Sequence, residues 1–299
     1  MSQGTPHIAV IGTGIMGAPM ASRLAAAGFP VNAWNRTPQK AQALQASGVV
    51  VAANLPAAVA EADVVICMVS SGPVCEAVLM GPDGALGRMK AGATLVVMSS
   101  IPVDTAISIA ETARILGIRC VDAPVSGGEK GAREGTLAIM AGGEAASVEA
   151  LAPIFQPLGR VKHVGPAGSG ALTKLANQLI VASTICAVAE ALTFAESGGA
   201  NPARVREALL GGFADSTVLR QHGLRMVEEN FLPGGPAKYQ LKDTSTAMAF
   251  ARSRGITLPV GEEVDRLFRA MVEHGDGELD HSGVILELRR RNQSGDASA

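Results

Sequence analysis

The chain has 299 residues, 47% hydrophobic and 17% charged, with a formal net charge of -2. That length accommodates two domains, each with a sizeable core. A nearly neutral chain has no general pull toward nucleic acid or an anionic membrane, which excludes those functions as expectations. The densest basic patch, Arg289, Arg290 and Arg291, reads as a solvated tail. Cys67, Cys75, Cys120 and Cys186 form no C-x-x-C pair and have no histidine at ligand spacing. They read as free thiols, mostly buried, suited to a reducing compartment. The opening MSQGTPHIAVIG lacks a basic segment followed by a long apolar run, so no secretory signal is expected and the cytoplasm is the expected location.

The first predicted strand covers residues 7–12 and the first helix 18–27. Between them Gly12, Gly14 and Gly17 stand in G-x-G-x-x-G spacing, and a second predicted strand, 29–34, follows the helix. In that context the motif is a dinucleotide-binding turn. Gly12 permits the tight bend, Gly14 lets the backbone approach a pyrophosphate, and Gly17 lets helix and strand pack closely. Thr13, Ile15 and Met16 complete the loop, whose amides and helix dipole favour phosphate. At the end of the second strand the sequence reads AWNRTPQK. Asn35 stands where a carboxylate would bind the ribose of NAD, followed by Arg36 and Thr37. Loss of the carboxylate and gain of an arginine favour NADP. If Arg36 only stacks on the adenine, NAD stays usable.

Further strands are predicted over 63–69, 94–100 and 118–125, with a helix over 105–116. Met68, Val69 and Ser70 follow one strand, and Ser99 and Ser100 end the next. Ligands of open α/β sheets lie beyond the carboxyl ends of strands, so these residues should line the cofactor. The segment DAPVSGGEKGAREGTLAIMAGG brings Ser126, Gly127 and Gly128 into a small turn that can aim a hydroxyl and backbone N–H groups at an anion. Strands over 136–143 and 162–165 close this half. Near-continuous apolar strands alternating with helices imply a doubly wound, mostly parallel sheet.

After Gly165 the period becomes helical, over 170–197, 202–210, 217–229, 239–253, 259–274 and 282–290, with NQSGDASA as a frayed tail. The expected architecture is therefore an α/β, Rossmann-type domain over 1–165 and an all-α domain over 166–299. The helix over 170–197 is apolar on nearly every side, but its uncharged interior, 175–189, is shorter than the ~18–20 residues of a membrane span. It reads as the core helix of a soluble protein. Its apolar surface also exceeds what short helices cover, so a homodimer or homotetramer is expected. Near its start lies Lys174, followed by Asn177 and Gln178. A lysine there is either a snorkelling surface group or a functional cation.

Four motifs in order, IAVIGTGIMGAPMA, DAPVSGGEKGAREGTLAIMAGG, GSGALTKLANQ and YQLKDTSTAMAFA, make the chain resemble the β-hydroxyacid dehydrogenases over nearly its whole length. This group contains 3-hydroxyisobutyrate dehydrogenase and tartronate semialdehyde reductase. TKLANQ, GGFADSTVL, NFLPG and the late DHS resemble the tartronate semialdehyde reductase branch. The resemblance implies NAD(P)H-dependent reduction of a short 3-oxo acid, such as tartronate semialdehyde to glycerate. Reduction of succinate semialdehyde and 3-hydroxyisobutyrate oxidation are the alternatives. It implies that Lys174 is catalytic, that Ser126, Gly127 and Gly128 hold the substrate carboxylate, and that Gln178 contacts substrate with Asn177 beside it. Asparagine is common in the family where this chain has Gln178. Lys242 and Asp243 match a pair near the nicotinamide, and Phe231 matches an aromatic that closes over the pocket. No metal is expected. The histidines His7, His163, His222, His274 and His281 are scattered, and His281 reads as part of a helix-cap neighbourhood. A binding module without turnover or an imine reductase would lack the lysine.

Overall fold

The computed structural model describes residues 4–295. It contains two compact units, Met1–Lys174 and Leu175–Ala299. They divide within the helix Ser169–Ser197, nine residues past the glycine turn at 165.

The first unit is built on one sheet. Its strands are β1 (Ile8–Ile11), β2 (Val31–Trp34), β3 (Val50–Val51), β4 (Val64–Cys67), β5 (Thr94–Val97), β6 (Arg119–Asp122), β7 (Val125–Ser126), β8 (Leu137–Gly142) and β9 (Gly159–Gly165). The order is β3-β2-β1-β4-β5-β6-β8-β7, with β9 also beside β8. β1, β4 and β5 read IAVI, VVIC and TLVV and are buried at every position. Strands covered on both faces need no polar alternation, which explains those continuous apolar runs. β1 pairs in parallel with β2 and β4, so Ile11 lies level with Trp34 and with Cys67. The loops after all three strands therefore leave the sheet at one edge. This geometry places the glycine turn, Asn35 and Met68 together.

Two features differ from the sequence expectation. The run 118–125 is not one strand: it breaks at Ala123 and Pro124. Proline offers no N–H to a ladder. β6 stays parallel to β5, while β7 pairs antiparallel with β8. The edge strand β3 has only two residues, too few for a periodic signal, and follows Gly48 at φ 79°.

The second unit is helical around Ile185, Leu192, Met226, Phe268, Met271 and Ile285. Asn201 caps the helix Pro202–Leu209 by accepting from the Arg204 amide, and Ser216 caps Thr217–Val227 through the Leu219 amide. Among the described residues, its only extended pairing is a bridge between Pro236 and Asp280. The helix expected over 259–274 is α-helical over Pro259–Met271 and continues as a π-turn, Val272–Asp276, with Gly275 at φ 91°. The final helix, Val284–Gly295, runs through part of the segment expected to fray. Residues 296–299 of that segment lie outside the described residues.

The extension has a local cause. Glu287, 2% exposed, accepts from His274 Nδ1 at 2.7 Å, Arg290 Nη1 at 3.1 Å and Arg291 Nε at 3.2 Å. Arg290 also pairs with Asp276, and Arg289 with Glu196 and Glu229. The basic patch is therefore bound back onto the unit, not a solvated tail. Charge spacing on the last helix could not show this, because two of the partners lie on the preceding turn.

The helix Ser169–Ser197 has 29 residues, and its most apolar window has a mean hydropathy of 1.7 with 33% of it buried. Its length and composition alone would allow a membrane span, but the core helix of a soluble protein has the same length and composition. Exposed apolar side chains on it include Ile180 at 68% and Phe194 at 80%.

Burial raises the Glu287 carboxyl, but His274, Arg291 and Arg290 together outweigh it and hold the group below its ordinary value. A carboxyl depressed in the folded state stabilises above its unfolded value of about 4.3 and loses that contribution as pH falls through the folded value. Glu287→Gln should therefore cost on the order of 1–3 kcal/mol at pH 7, with the gap to wild type shrinking below about pH 4.5. Thermal unfolding of both proteins across that range checks it. A gap unchanged down to pH 3 would contradict it.

Candidate active site

The glycine loop joins β1 to the helix Gly17–Ala26. Gly12 has φ 94°, and a Cβ there would collide with the carbonyl oxygen of Met68. A Cβ on Gly17 would collide with the carbonyl oxygen of Gly12. Around Gly14, by contrast, an added Cβ would meet no atom within 4 Å beyond Gly14 and its two chain neighbours. Two glycines thus close the fold and one leaves an open approach. Met16 makes no side-chain cap hydrogen bond to the helix it precedes, so no cap side chain of its own takes up the helix's first amides. The Thr13 amide donates to Asn35 Oδ1 at 3.0 Å, and Asn35 Nδ2 donates to the Thr37 carbonyl at 3.0 Å. Asn35 therefore ties the loop to the end of β2. Thr13 Oγ1 is buried with no protein partner. An orphaned hydroxyl beside a sterically open glycine and an uncapped helix start fits a nucleotide diphosphate.

Gly14, Ile15, Arg36, Thr37 and Ser70 are exposed, while Met16, Met68, Val69 and Ser100 are half-buried. Met16 and Met68 pack against the unit's core. The Val69 amide donates to Ser99 Oγ at 2.8 Å. Ser99, 1% exposed, thus shapes the loop after β4 from inside.

Ser126 ends β7 and is half-buried, with Gly127 and Gly128 exposed beyond it. Their φ values of 136° and 62° are open to glycine and strained for other residues. Four residues before Ser126, Asp122 is 3% exposed. Its Oδ1 accepts from the Gly168 amide and its Oδ2 from the Ala171 amide, each at 2.8 Å. Burial pushes the Asp122 carboxyl up, against the pull of those amides. Lys174 follows one turn later on the helix Ser169–Ser197 and is half-buried. Sequence reasoning missed Asp122 in this role. A D before AP marks a strand end, and its partners lie 46 and 49 residues away.

The remaining expected residues lie in the second unit. Gln178 accepts from Asn177 Nδ2 at 2.9 Å and donates through Nε2 to Asp243 Oδ2 at 2.8 Å. Lys242 Nζ pairs with Asp243 Oδ1 at 3.0 Å. Asp243 is 6% exposed, so the four side chains form a fixed polar chain around one buried carboxylate. Phe231 is half-buried, packs against the helical core and accepts through its carbonyl from the Asp280 amide.

A family model described as the NAD-binding domain of 6-phosphogluconate dehydrogenase matches residues 7–165. One described as NAD-binding of NADP-dependent 3-hydroxyisobutyrate dehydrogenase matches 168–288. The chain is 42% identical over 280 residues to 2-hydroxy-3-oxopropionate reductase of Escherichia coli, covering 93% of this chain and 95% of that one. The chain belongs to the β-hydroxyacid dehydrogenase family. It is 39% identical over 287 residues to a probable 3-hydroxyisobutyrate dehydrogenase-like protein of Arabidopsis thaliana, covering 96% and 94% of the two chains. The structure of Mycobacterium tuberculosis 3-hydroxyisobutyrate dehydrogenase with L-serine matches with a TM-score of 0.87 at 32% identity, over 95% of this chain and 99% of that one. This β-hydroxyacid dehydrogenase is an NAD(P)-dependent enzyme of the 3-hydroxyacid type.

The dehydrogenase also holds a cluster that residue spacing hid. His222 and His281, 59 residues apart, face each other with their Nε2 atoms 2.7 Å apart, and an Asp280 oxygen lies within 4.8 Å. Asp280 is already engaged: Oδ2 accepts from the Gly234 and Gly235 amides, and Oδ1 from the Ser282 amide and hydroxyl. It caps the turn His281–Gly283 and fastens the loop after Phe231.

Gly14 and Gly17 separate binding from folding. Gly14→Ala should leave the melting temperature within about 2 °C of wild type and weaken NADPH binding by roughly tenfold or more, because its Cβ enters only the open approach. Gly17→Ala should lower both stability and affinity. Fluorescence titration and thermal melts check this, and wild-type NADPH affinity in Gly14→Ala would contradict the assignment.

Proposed function

We propose that this enzyme reduces a short 3-oxo acid with NADPH, with 2-hydroxy-3-oxopropionate (tartronate semialdehyde) as the favoured substrate and glycerate as the product. The observation that carries the reading is the place of Lys174: a half-buried lysine on a helix bolted to the strand end that leads into the Ser126 turn. The 42% identity to the Escherichia coli reductase supports the substrate. The 3-hydroxyisobutyrate dehydrogenase names among the relatives favour a second reading, oxidation of 3-hydroxyisobutyrate. The two reactions differ in a few pocket contacts.

Residues 1–165 bind the cofactor, and 166–299 serve substrate binding and assembly. Gly12, Thr13, Gly14, Ile15, Met16 and Gly17 hold the diphosphate. Asn35, Arg36 and Thr37 take the adenosine ribose, where a cation without a carboxylate suits a 2′-phosphate. Met68, Val69, Ser70, Ser100 and Lys242 line the rest.

When bound, the nicotinamide cofactor would supply the hydride for the carbonyl carbon. The Ser126 hydroxyl and the backbone of Gly127 and Gly128 hold the substrate carboxylate. As charge grows on the carbonyl oxygen, the Lys174 ammonium stabilises it and delivers a proton there. In the oxidation direction the neutral amine takes the hydroxyl proton. Asn177, Gln178, Asp243 and Phe231 are the remaining residues proposed to bind substrate.

The exposed Ile180 and Phe194 on a helix of such hydropathy support a homodimer or homotetramer with that helix at the contact. The cytoplasm is the proposed location. Light scattering should give two or four times the chain mass, and a monomer would contradict the assembly. For the reaction, kcat/KM should be highest for tartronate semialdehyde among tartronate, methylmalonate and succinate semialdehydes. With that substrate NADPH should be favoured over NADH by roughly tenfold or more. Higher kcat/KM for methylmalonate semialdehyde would move the assignment to the second reading, and no turnover with any of the three would refute both.

A further inference from the structure

We propose that Asp122 is the positioning residue for Lys174, setting the lysine against the Ser126 turn through one buried carboxylate; this rests on Lys174 being the proton donor. Asp122 ends β6 and pairs with Gly142 of β8. Its two oxygens grip the Gly168 and Ala171 amides, at the turn before the helix and in its first turn. A helix start carries amides without intrahelical partners and the positive dipole end, so an anion there is held by charge as well as by hydrogen bonds.

Beside that carboxylate, helix start and strand ends approach each other backbone to backbone. A Cβ on Gly142 would stand 2.6 Å from the Gly170 nitrogen and 2.7 Å from Asp122 Oδ1. A Cβ on Gly170 would stand 2.9 Å from Asp122 Oδ2 and would collide with the Asp122 and Met140 carbonyls. Two glycines therefore let the helix sit directly on the ends of β6 and β8.

The two sides of the carboxylate lead to the two sides of the reaction. Along the chain, Asp122 is four residues from Ser126, with Pro124 stiffening the path. Across the hydrogen bonds, Ala171 is three residues from Lys174, on the same helical face. An asparagine at 122 keeps one accepting oxygen but turns an NH₂ toward the other amide. That breaks one grip, removes the charge and lets the helix start shift. Displacements of about 1 Å suffice to cost large factors in rate.

The test uses full-length Asp122→Asn with NADPH and the best semialdehyde, its concentration set by NADPH-binding stoichiometry so that only folded sites count. The expected result is an NADPH Kd within about twofold of wild type and a kcat at least about tenfold lower, with the pH profile of kcat displaced by about half a unit or more. A merely structural carboxylate would lower the melting temperature but leave kcat per folded site and its pH profile alone. A kcat within twofold of wild type would overturn the inference. Lys174→Ala runs beside it. If that variant turns over normally, the functional reading fails and this inference with it; if it is inactive while Asp122→Asn is normal, only this inference fails. Should Asp122→Asn not fold, hydrogen exchange on the wild-type enzyme decides. Slow exchange of the Gly168 and Ala171 amides, matching the sheet core, supports the grip, and loop-like exchange refutes it.

Discussion

A buried carboxylate on the start of a helix organises this enzyme. Asp122 is out of water at the end of β6, where an isolated charge would be costly. It is tolerated because two backbone amides face it, and those amides begin the helix that carries Lys174. The glycines on either side matter for the same reason. Without them the helix could not come close enough for the carboxylate to reach.

The cofactor side obeys the same logic of close approach. Gly12 and Gly17 remove side chains where backbone meets backbone, and Gly14 removes one where nothing beyond its two chain neighbours stands. Asn35 then joins two strand ends through Thr13. Its amide does structural work that a carboxylate could share through one oxygen. A carboxylate could not replace the donation to the Thr37 carbonyl, so the amide serves the tie at both of its ends.

Much of this was legible from residue order. Parallel strands, the glycine turn and the helical second half follow from apolar runs and spacing, because a sheet covered on both faces leaves a strong signal. The failures have physical causes. The run 118–125 is apolar throughout, so periodicity could not show that Pro124 turns it from β6 into β7. Arg290 and Arg291 read as a solvated basic tail because Glu287 with His274, and Asp276 beside Arg290, converge only in three dimensions. Asp122, with partners 46 and 49 residues away, and the His222–His281 pair were invisible for the same reason. The roles of Lys174, Ser126 and Gln178 came from family resemblance, since spacing alone leaves a lysine near a helix start open to a bland explanation.

The claim on which the account stands is that the Lys174 amine exchanges a proton with the reacting oxygen. Chemical rescue tests it most directly. Lys174→Ala should bind NADPH normally and turn over at least about a thousandfold more slowly, and added methylammonium should restore turnover in proportion to its concentration. Wild-type turnover in Lys174→Ala without added amine would contradict it.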